Sequence, residues 1–206
     1  MKQNKTISII RTISIIIASL LLISWGDSWE QIRKPAKDIT SVEAEFVQKK
    51  QMPILAKPLV SKGKLFFQVP RSLRWEYLSP VNSILLMHGG TVTRYVKKDG
   101  VVTKDSSARL QSMQIVLQEI TTWMKGNFDA NPAFRPELRP GRIIMLKPKD
   151  KSMADIIRRI ELRLSDRPGV IRSVRIYENE KSFTEIEFIK VRLNEKLPGS
   201  LFERLQ

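Results

Sequence analysis

Cysteine is absent from the 206 residues, and histidine occurs once, at His88. The first absence excludes disulfides, thiolate metal sites, a cysteine nucleophile and a lipid-modified N-terminal cysteine. A single histidine without cysteine is also a poor start for a zinc site. A Ser-His-Asp triad needs a nucleophile motif beside its histidine, and none accompanies His88. A histidine held beside the Gly89-Gly90 turn is the plainer reading, and a hydrolase built on His88 the weaker alternative. No phosphate-cradling glycine loop or dinucleotide fingerprint is present. Glu185 and Glu187 share a strand face, where Arg and Lys of neighbouring strands are natural partners and a solvated face is the simplest outcome. Neither an enzyme nor a cofactor is expected.

Long apolar runs are scarce too. The one near the N-terminus, residues 13–23, is eleven residues long, short of the roughly 20 a membrane span needs. Lys2, Lys5 and Arg11 lie at or before its start, and Ser24-Trp25-Gly26 follows it as small-x-small. This is the pattern of a secretory signal peptide over residues 1–26, with cleavage after Gly26, or after Ser28 as a second choice. Residues 27–206 then form a single exported domain; an uncleaved anchor is the alternative. Cleavage removes three of the positive charges and takes the net charge from +15 to +12.

Hydrophobic residues make up 42% of the chain, enough to bury a core. The positive balance implies anionic neighbours. Lys147, Lys149, Lys151, Arg158, Arg159, Arg163, Arg172 and Arg175 gather in the second half. A basic sheet with Trp and Tyr suits single-stranded nucleic acid in a cytoplasmic protein. No nucleic-acid motif is present, however, and export removes that substrate. Anionic lipid, an acidic protein surface or solubility alone remain as readings of the charge.

The chain between the termini reads mostly as strands. Residues 30–41 suggest a short helix, with Ile32, Ala36 and Ile39 on one side. From Val42 the period changes to two: Val42, Ala44 and Phe46 alternate with charged residues. In "GKLFFQVPRSLRWEY", Leu65, Phe67 and Val69 alternate before Pro70, and Leu73, Trp75 and Tyr77 after it. Alternation alone fits either an ordinary core or the floor of a cavity. "NSILLMHGG" and "TVTRYVKKDG" form a hairpin turning at Gly89-Gly90. The spacing of turns predicts an antiparallel meander that stops at Ser106-Ser107.

"ARLQSMQIVLQEITTWMKGNF" is the best helix, with Leu110, Met113, Leu117, Ile120 and Met124 at 3-4-3-4 spacing on one face. Val116 and Trp123 widen that stripe. Ser107 suits its start and Gly126 its end. Residues 131–141 hold three prolines without periodicity and read as a loop. Strands resume in "GRIIMLKPKD", "DIIRRIELRLSD", "GVIRSVRIYEN" and "SFTEIEFIKVRLN", with turns at 166–169 and 179–181. "PGSLFERL" is a closing turn or short helix. The fold class is mainly β with helices, built on an antiparallel sheet.

The order of these features resembles the LolA-type outer-membrane lipoprotein carriers. The matching residues are Phe46 and Gln48, Gly63 through Phe67, Pro70, Trp75 with Glu76, Pro80, Ile84 with Leu85, and Gly89. "VRLNEKLPGSLFE" is similar to the family's closing segment. The resemblance covers roughly residues 30–204 and is dense from 43 to 95. No single element is specific; the ordered set is.

The resemblance implies a curved antiparallel sheet forming an unclosed half-barrel in the periplasm, with helices over a concave apolar face. The cavity between them takes the acyl chains of a lipoprotein, or a related lipid, from an inner-membrane lipoprotein-releasing transporter. It passes them to an outer-membrane acceptor without covalent chemistry. A monomer is expected. Carried over by position, Val69, Leu73, Trp75 and Leu85 line the cavity, with Leu65, Phe67 and Tyr77 following by alternation and the 110–124 stripe as the lid. Three positions depart from the family. The arginine that usually precedes the proline and helps close the lid is Val69, with Arg71 after the proline instead. The aspartate of the family's turn is His88, and Leu73 stands where many carriers have an aromatic. A lipid-sensing regulatory module on the same half-barrel is the alternative, and a structural envelope protein with a filled core another.

Overall fold

Two meanders make one sheet. The computed structural model describes residues 28–88, 91–98, 101–105 and 109–203. Strands β1 (Ser41–Gln51), β2 (Leu59–Gln68), β3 (Ser72–Ser79), β4 (Ser83–His88), β5 (Thr91–Lys98) and β6 (Val101–Asp105) form the first meander. Strands β7 (Phe134–Arg139), β8 (Ile143–Pro148), β9 (Arg159–Leu164), β10 (Ile171–Tyr177) and β11 (Phe183–Leu193) form the second. The sheet has eleven antiparallel strands in the order β6-β5-β4-β3-β2-β1-β11-β10-β9-β8-β7. It is unclosed, since β6 and β7 are its two edges.

Those edge strands are consecutive along the chain, so the connection between them must cross a face of the sheet. Helix α2 (Arg109–Met124) makes that crossing. It covers the concave face, where its Leu117, Ile120, Trp123 and Met124 are buried. Helix α1 (Trp29–Lys37) precedes β1 and buries Ile32 and Ala36. The Ser28 hydroxyl accepts from the Gln31 N–H at 3.2 Å, and Gln31 Oε1 accepts from the Ser28 N–H at 2.9 Å. This reciprocal capping box fixes the helix start. The helix ends at Lys37, earlier than the apolar pattern suggests, and Ile39 is buried beyond it.

The strand pattern holds, with three corrections. Residues 131–141 are not all loop: Phe134–Arg139 is β7, paired with β8. Its Pro136 is tolerated because β7 is an edge strand, where a missing N–H breaks no inner ladder. Residues 155–158 do not belong to the β9 strand. Asp150 Oδ1 accepts from the Met153 N–H at 2.8 Å and the Ser152 hydroxyl at 2.7 Å, starting helix α3 (Lys151–Ala154). These bonds hold the Asp150 carboxyl below its ordinary range, the Met153 N–H first among them. The end of the first meander is also a separate strand, β6, paired with β5. The expected turn at Gly89-Gly90, the Ser107 cap and the segment 1–26 lie outside the described residues.

The outer face carries a small core of its own. A 3-10 helix, Gly199–Phe202, folds back so that Leu197 and Phe202 cover Phe66. Arg74 is buried beside it, its Nε donating to Glu76 Oε2 at 3.0 Å and its Nη1 to the Leu201 carbonyl at 3.3 Å. Asn194, at φ 60, holds the approach: its Oδ1 accepts from the Thr40 N–H at 2.8 Å and its Nδ2 donates to the Asp38 carbonyl at 3.2 Å. Elsewhere on this face Glu185 pairs with Arg175 at 2.6 Å and Glu161 with Arg163 at 2.8 Å, as a solvated ladder requires. Such partly exposed pairs contribute about 0–1 kcal/mol each.

Gly63 sits opposite Phe46 on β1 and Tyr77 on β3. A Cβ there would meet the Phe46 ring and the Glu76 carbonyl. The missing side chain lets Phe46 lie against β2 and stack towards Trp75 at 4.4 Å and Tyr77 at 5.3 Å. Gly63→Ala is expected to displace Phe46 and cost about 1–3 kcal/mol or more, read from the urea unfolding midpoint.

Candidate functional site

One apolar interior runs across the concave face. Leu65 and Phe67 of β2, Leu73 and Trp75 of β3 and Leu85 of β4 are each at most 2% exposed and share a single cluster. Val69 and Tyr77 are half-buried against it. From above, Leu117, Ile120 and Met124 of α2 enter the same cluster. The side chains of Leu110, Met113 and Val116 lie outside the described residues, although the helix itself spans them.

The interior is wider than the sequence-predicted set. Phe46, Trp123, Phe128 and Phe134, together with Ile144, Leu146, Ile160, Leu162, Val174, Ile186 and Phe188, join it. The alternation in "RRIELRLS" and the strands around it signals this second wall. The signal for Phe46 is Gly63, seventeen residues later in the sequence. Among the described residues, one void between Met124, Val42, Ala44, Ile171 and Phe188 is about 20 Å³, room for about one water. At this end the C-terminal half of α2 packs closely on the concave face.

A few polar atoms sit in this apolar wall. The Tyr77 hydroxyl donates to Gln48 Oε1 at 2.9 Å. Burial pushes the Tyr77 phenol up, against the opposing pull of the Trp75 indole, the Arg94 charge and Gln48. The Trp75 N–H lies near that hydroxyl but outside hydrogen-bonding geometry, so its Nε1 is buried without a partner. Arg94 reaches this face from β5, opposite Leu85.

The helix is tethered at its C-terminal end. Gly126, at φ +77, reverses the chain and packs on α1, where a Cβ would meet Ala36 at 2.9 Å and the Arg33 carbonyl at 3.2 Å. Arg33 also pairs with Asp129 at 2.7 Å. Asn131 Nδ2 donates to Glu119 Oε1 at 2.6 Å, tying the following loop to the helix. The arginine position of the family holds Val69, whose N–H donates to the Thr40 carbonyl at 3.0 Å. Arg71 is exposed in the β2–β3 turn. The helix is held over the sheet by apolar packing and by this tether.

Glu119 stands half-buried on that tether. Burial pushes its carboxyl up, with the Asn131 bond opposing. The folded state therefore holds the proton more tightly than the unfolded chain, so its ionisation costs stability as pH rises above the ordinary glutamate value of 4.5. Glu119→Gln keeps the acceptor and removes the charge. The variant is expected to match the parent in acid and to exceed it at neutral pH, measured by urea unfolding across pH.

A family model described as "Outer membrane lipoprotein carrier protein LolA" matches residues 37–204. The outer-membrane lipoprotein carrier protein of Francisella tularensis is 24% identical over 186 residues, which span 88% of this chain and 85% of that protein. Among solved structures, a LolA superfamily protein from Nitrosomonas europaea aligns over 86% of this chain and 98% of its own, at 13% identity and a TM-score of 0.40. A chain of the Pseudomonas aeruginosa MucA/MucB complex aligns over 84% of this chain and 59% of its own, at 13% identity and a TM-score of 0.49. With an unclosed sheet whose apolar concave face is covered by a helix, and a family match over most of its length, the chain belongs to the LolA family of outer-membrane lipoprotein carriers.

Proposed function

We propose that the protein shields the acyl chains of lipoproteins, or of a related lipid, and moves them through the periplasm from an inner-membrane transporter to an outer-membrane acceptor. Residues 1–26 serve as the export signal in this reading. Leu65, Phe67, Leu73, Trp75 and Leu85 are the floor of the binding site, with Val69 and Tyr77 at its flanks. Leu110, Met113, Leu117, Ile120 and Met124 are the lid.

The observation that carries this reading is the kind of element that covers the concave face. A single helix, tethered at one end, covers an apolar surface that spans strands of both meanders. Each CH₂ moved from water into such a surface contributes about 0.8 kcal/mol, so acyl chains compete with α2 for the same wall. Loading swings the helix about its Gly126 end and lays its apolar stripe on the lipid. Methionine at 113 and 124 suits a stripe that packs on two different surfaces, since its side chain is flexible and polarisable. Release is the reverse exchange, with α2 refilling the floor, and no bond is made or broken.

Lid and permanent core differ in how a lid truncation couples to lipid. Ile120→Ala is expected to destabilise the empty protein by about 2–5 kcal/mol. It is expected to cost the loaded protein less, because the loaded state does not use that contact. A long-chain acyl probe should then raise the melting temperature of the variant more than that of the parent. Equal shifts would make α2 a fixed core element, and the absence of probe binding by the parent would end the carrier reading.

A further inference from the structure

The two rims of the half-barrel differ in character. One carries the β2–β3, β7–β8 and β9–β10 turns and is closed by α1, with Pro35, Ala36 and Ile39 packed around Gly169. The other carries the β1–β2 loop, the β3–β4 and β5–β6 turns, and the β8–β9 and β10–β11 connections; the registers Lys50↔Leu59, Tyr77↔Ser83, Lys98↔Val101 and Tyr177↔Phe183 set these at one end.

Among the described residues, five large hydrophobics are more than half exposed, and all five stand on this second rim. Ile54 at 88% belongs to the β1–β2 loop, Leu59 at 54% to the start of β2, Val81 at 56% to the β3–β4 turn, Val101 at 62% to the start of β6 and Ile156 at 65% to the β8–β9 connection. They project singly from separate turns along an arc rather than lining one groove. Scattered exposed apolar residues are ordinary; confinement of the most exposed ones to a single edge is not explained by the core, which lies elsewhere.

Charge around the β1–β2 loop of this rim is positive. No acidic residue occurs from 46 to 64, a stretch that holds five lysines. Lys49, Lys57 and Lys62 flank the loop and are absent from the ion pairs of the described residues. The acids nearby are largely neutralised: Glu178 pairs with Lys50 at 2.9 Å, Glu180 with Arg158 at 2.8 Å, and Asp150 caps α3. Asp155 lies between the basic residues Lys151 and Arg158 in sequence.

The geometry points to this rim as a docking edge for anionic lipid bilayers, with the Ile54 loop as its inserting tip. Apolar tips enter the headgroup boundary while flanking lysines meet anionic lipid, and the two contributions add. A bilayer fits a row of separate protrusions, whereas a protein partner fits a shared groove. Docking sets against the membrane the end of the half-barrel that α1 leaves uncovered. The assignment rests on the rim alone and is independent of what the concave face binds.

The lack of cysteine makes the test direct. An environment-sensitive fluorophore is attached to Ile54→Cys and, separately, to Arg71→Cys in the full chain. The second site lies at the opposite end of β2, about 30 Å away at roughly 3.3 Å per residue. With vesicles of phosphatidylglycerol and phosphatidylethanolamine, the dye at 54 is expected to shift to the blue and the dye at 71 to stay unchanged. Phosphatidylcholine vesicles are expected to give a much smaller shift, and added salt to weaken it. Adding Lys57→Ala to the position-54 protein is expected to weaken partitioning about fivefold. No shift at 54, an equal shift at 71, equal response to both lipid mixtures, or a shift at 54 produced only by an envelope protein would overturn the assignment. Ile54→Asp should leave acyl-probe binding intact, so failure of docking and failure of the carrier reading are read separately.

Discussion

The pairing of β1 with β11 is the interaction on which the molecule depends. It joins Val42 to Leu193 and Gln51 to Phe183, residues far apart in the sequence, at the centre of the sheet. All other neighbouring strands in the sheet are consecutive in the chain. Without this ladder there are two separate meanders, neither with a covered apolar face. With it, the first and last strands fix β6 and β7 at opposite edges, and the chain between them has to cross. The helix over the mouth is thus a consequence of topology before it is a device for binding. Asn194 and the Thr40 N–H secure the end of the same ladder.

The concave face shows how small residues set large ones. Gly63 has no side chain, so Phe46 lies flat against β2 and brings Trp75, Tyr77 and Phe188 into one aromatic group. Gly126 has none either, so the end of α2 approaches α1 closely. The first glycine shapes the floor and the second the hinge. Between them the described part of the helix, Leu117 to Met124, packs on the sheet; in the proposed function an acyl chain gains its place where the helix gives one up. That exchange suits a family whose cargo has to be both hidden and released.

The two rims give the half-barrel a direction. One is plugged by α1, whose capping box starts it at Ser28. The other bears isolated apolar tips among lysines. A chain with a net charge of +15 needs some account of its sign. On the outer face most of the charge is spent in cross-strand ladders such as Arg175 with Glu185. Lys49, Lys57 and Lys62 around the β1–β2 loop form no ion pair among the described residues, and there the charge faces outward.

The sequence by itself determined the strands, the crossing helix and the apolar residues that face inward. Period-two alternation and the 3-4-3-4 stripe follow from local geometry, and the ordered motif set identified the family. Other features were not legible, because they depend on contacts distant in sequence. Pro136 argued for a loop until β7 proved to be an edge, where its missing N–H is harmless. Phe66 and Arg74 read as outer-face residues until the C-terminal segment folded over them. Ile156 and Ile157 read as the start of a strand until Asp150 capped a helical turn just before them. Only the tertiary structure decided that the C-terminal half of α2 packs on the predicted floor, and that apolar residues from four separate turns share one rim. Alternation tells which side of a strand a residue faces; what lies opposite that side is set by which strands and segments the folded chain brings together.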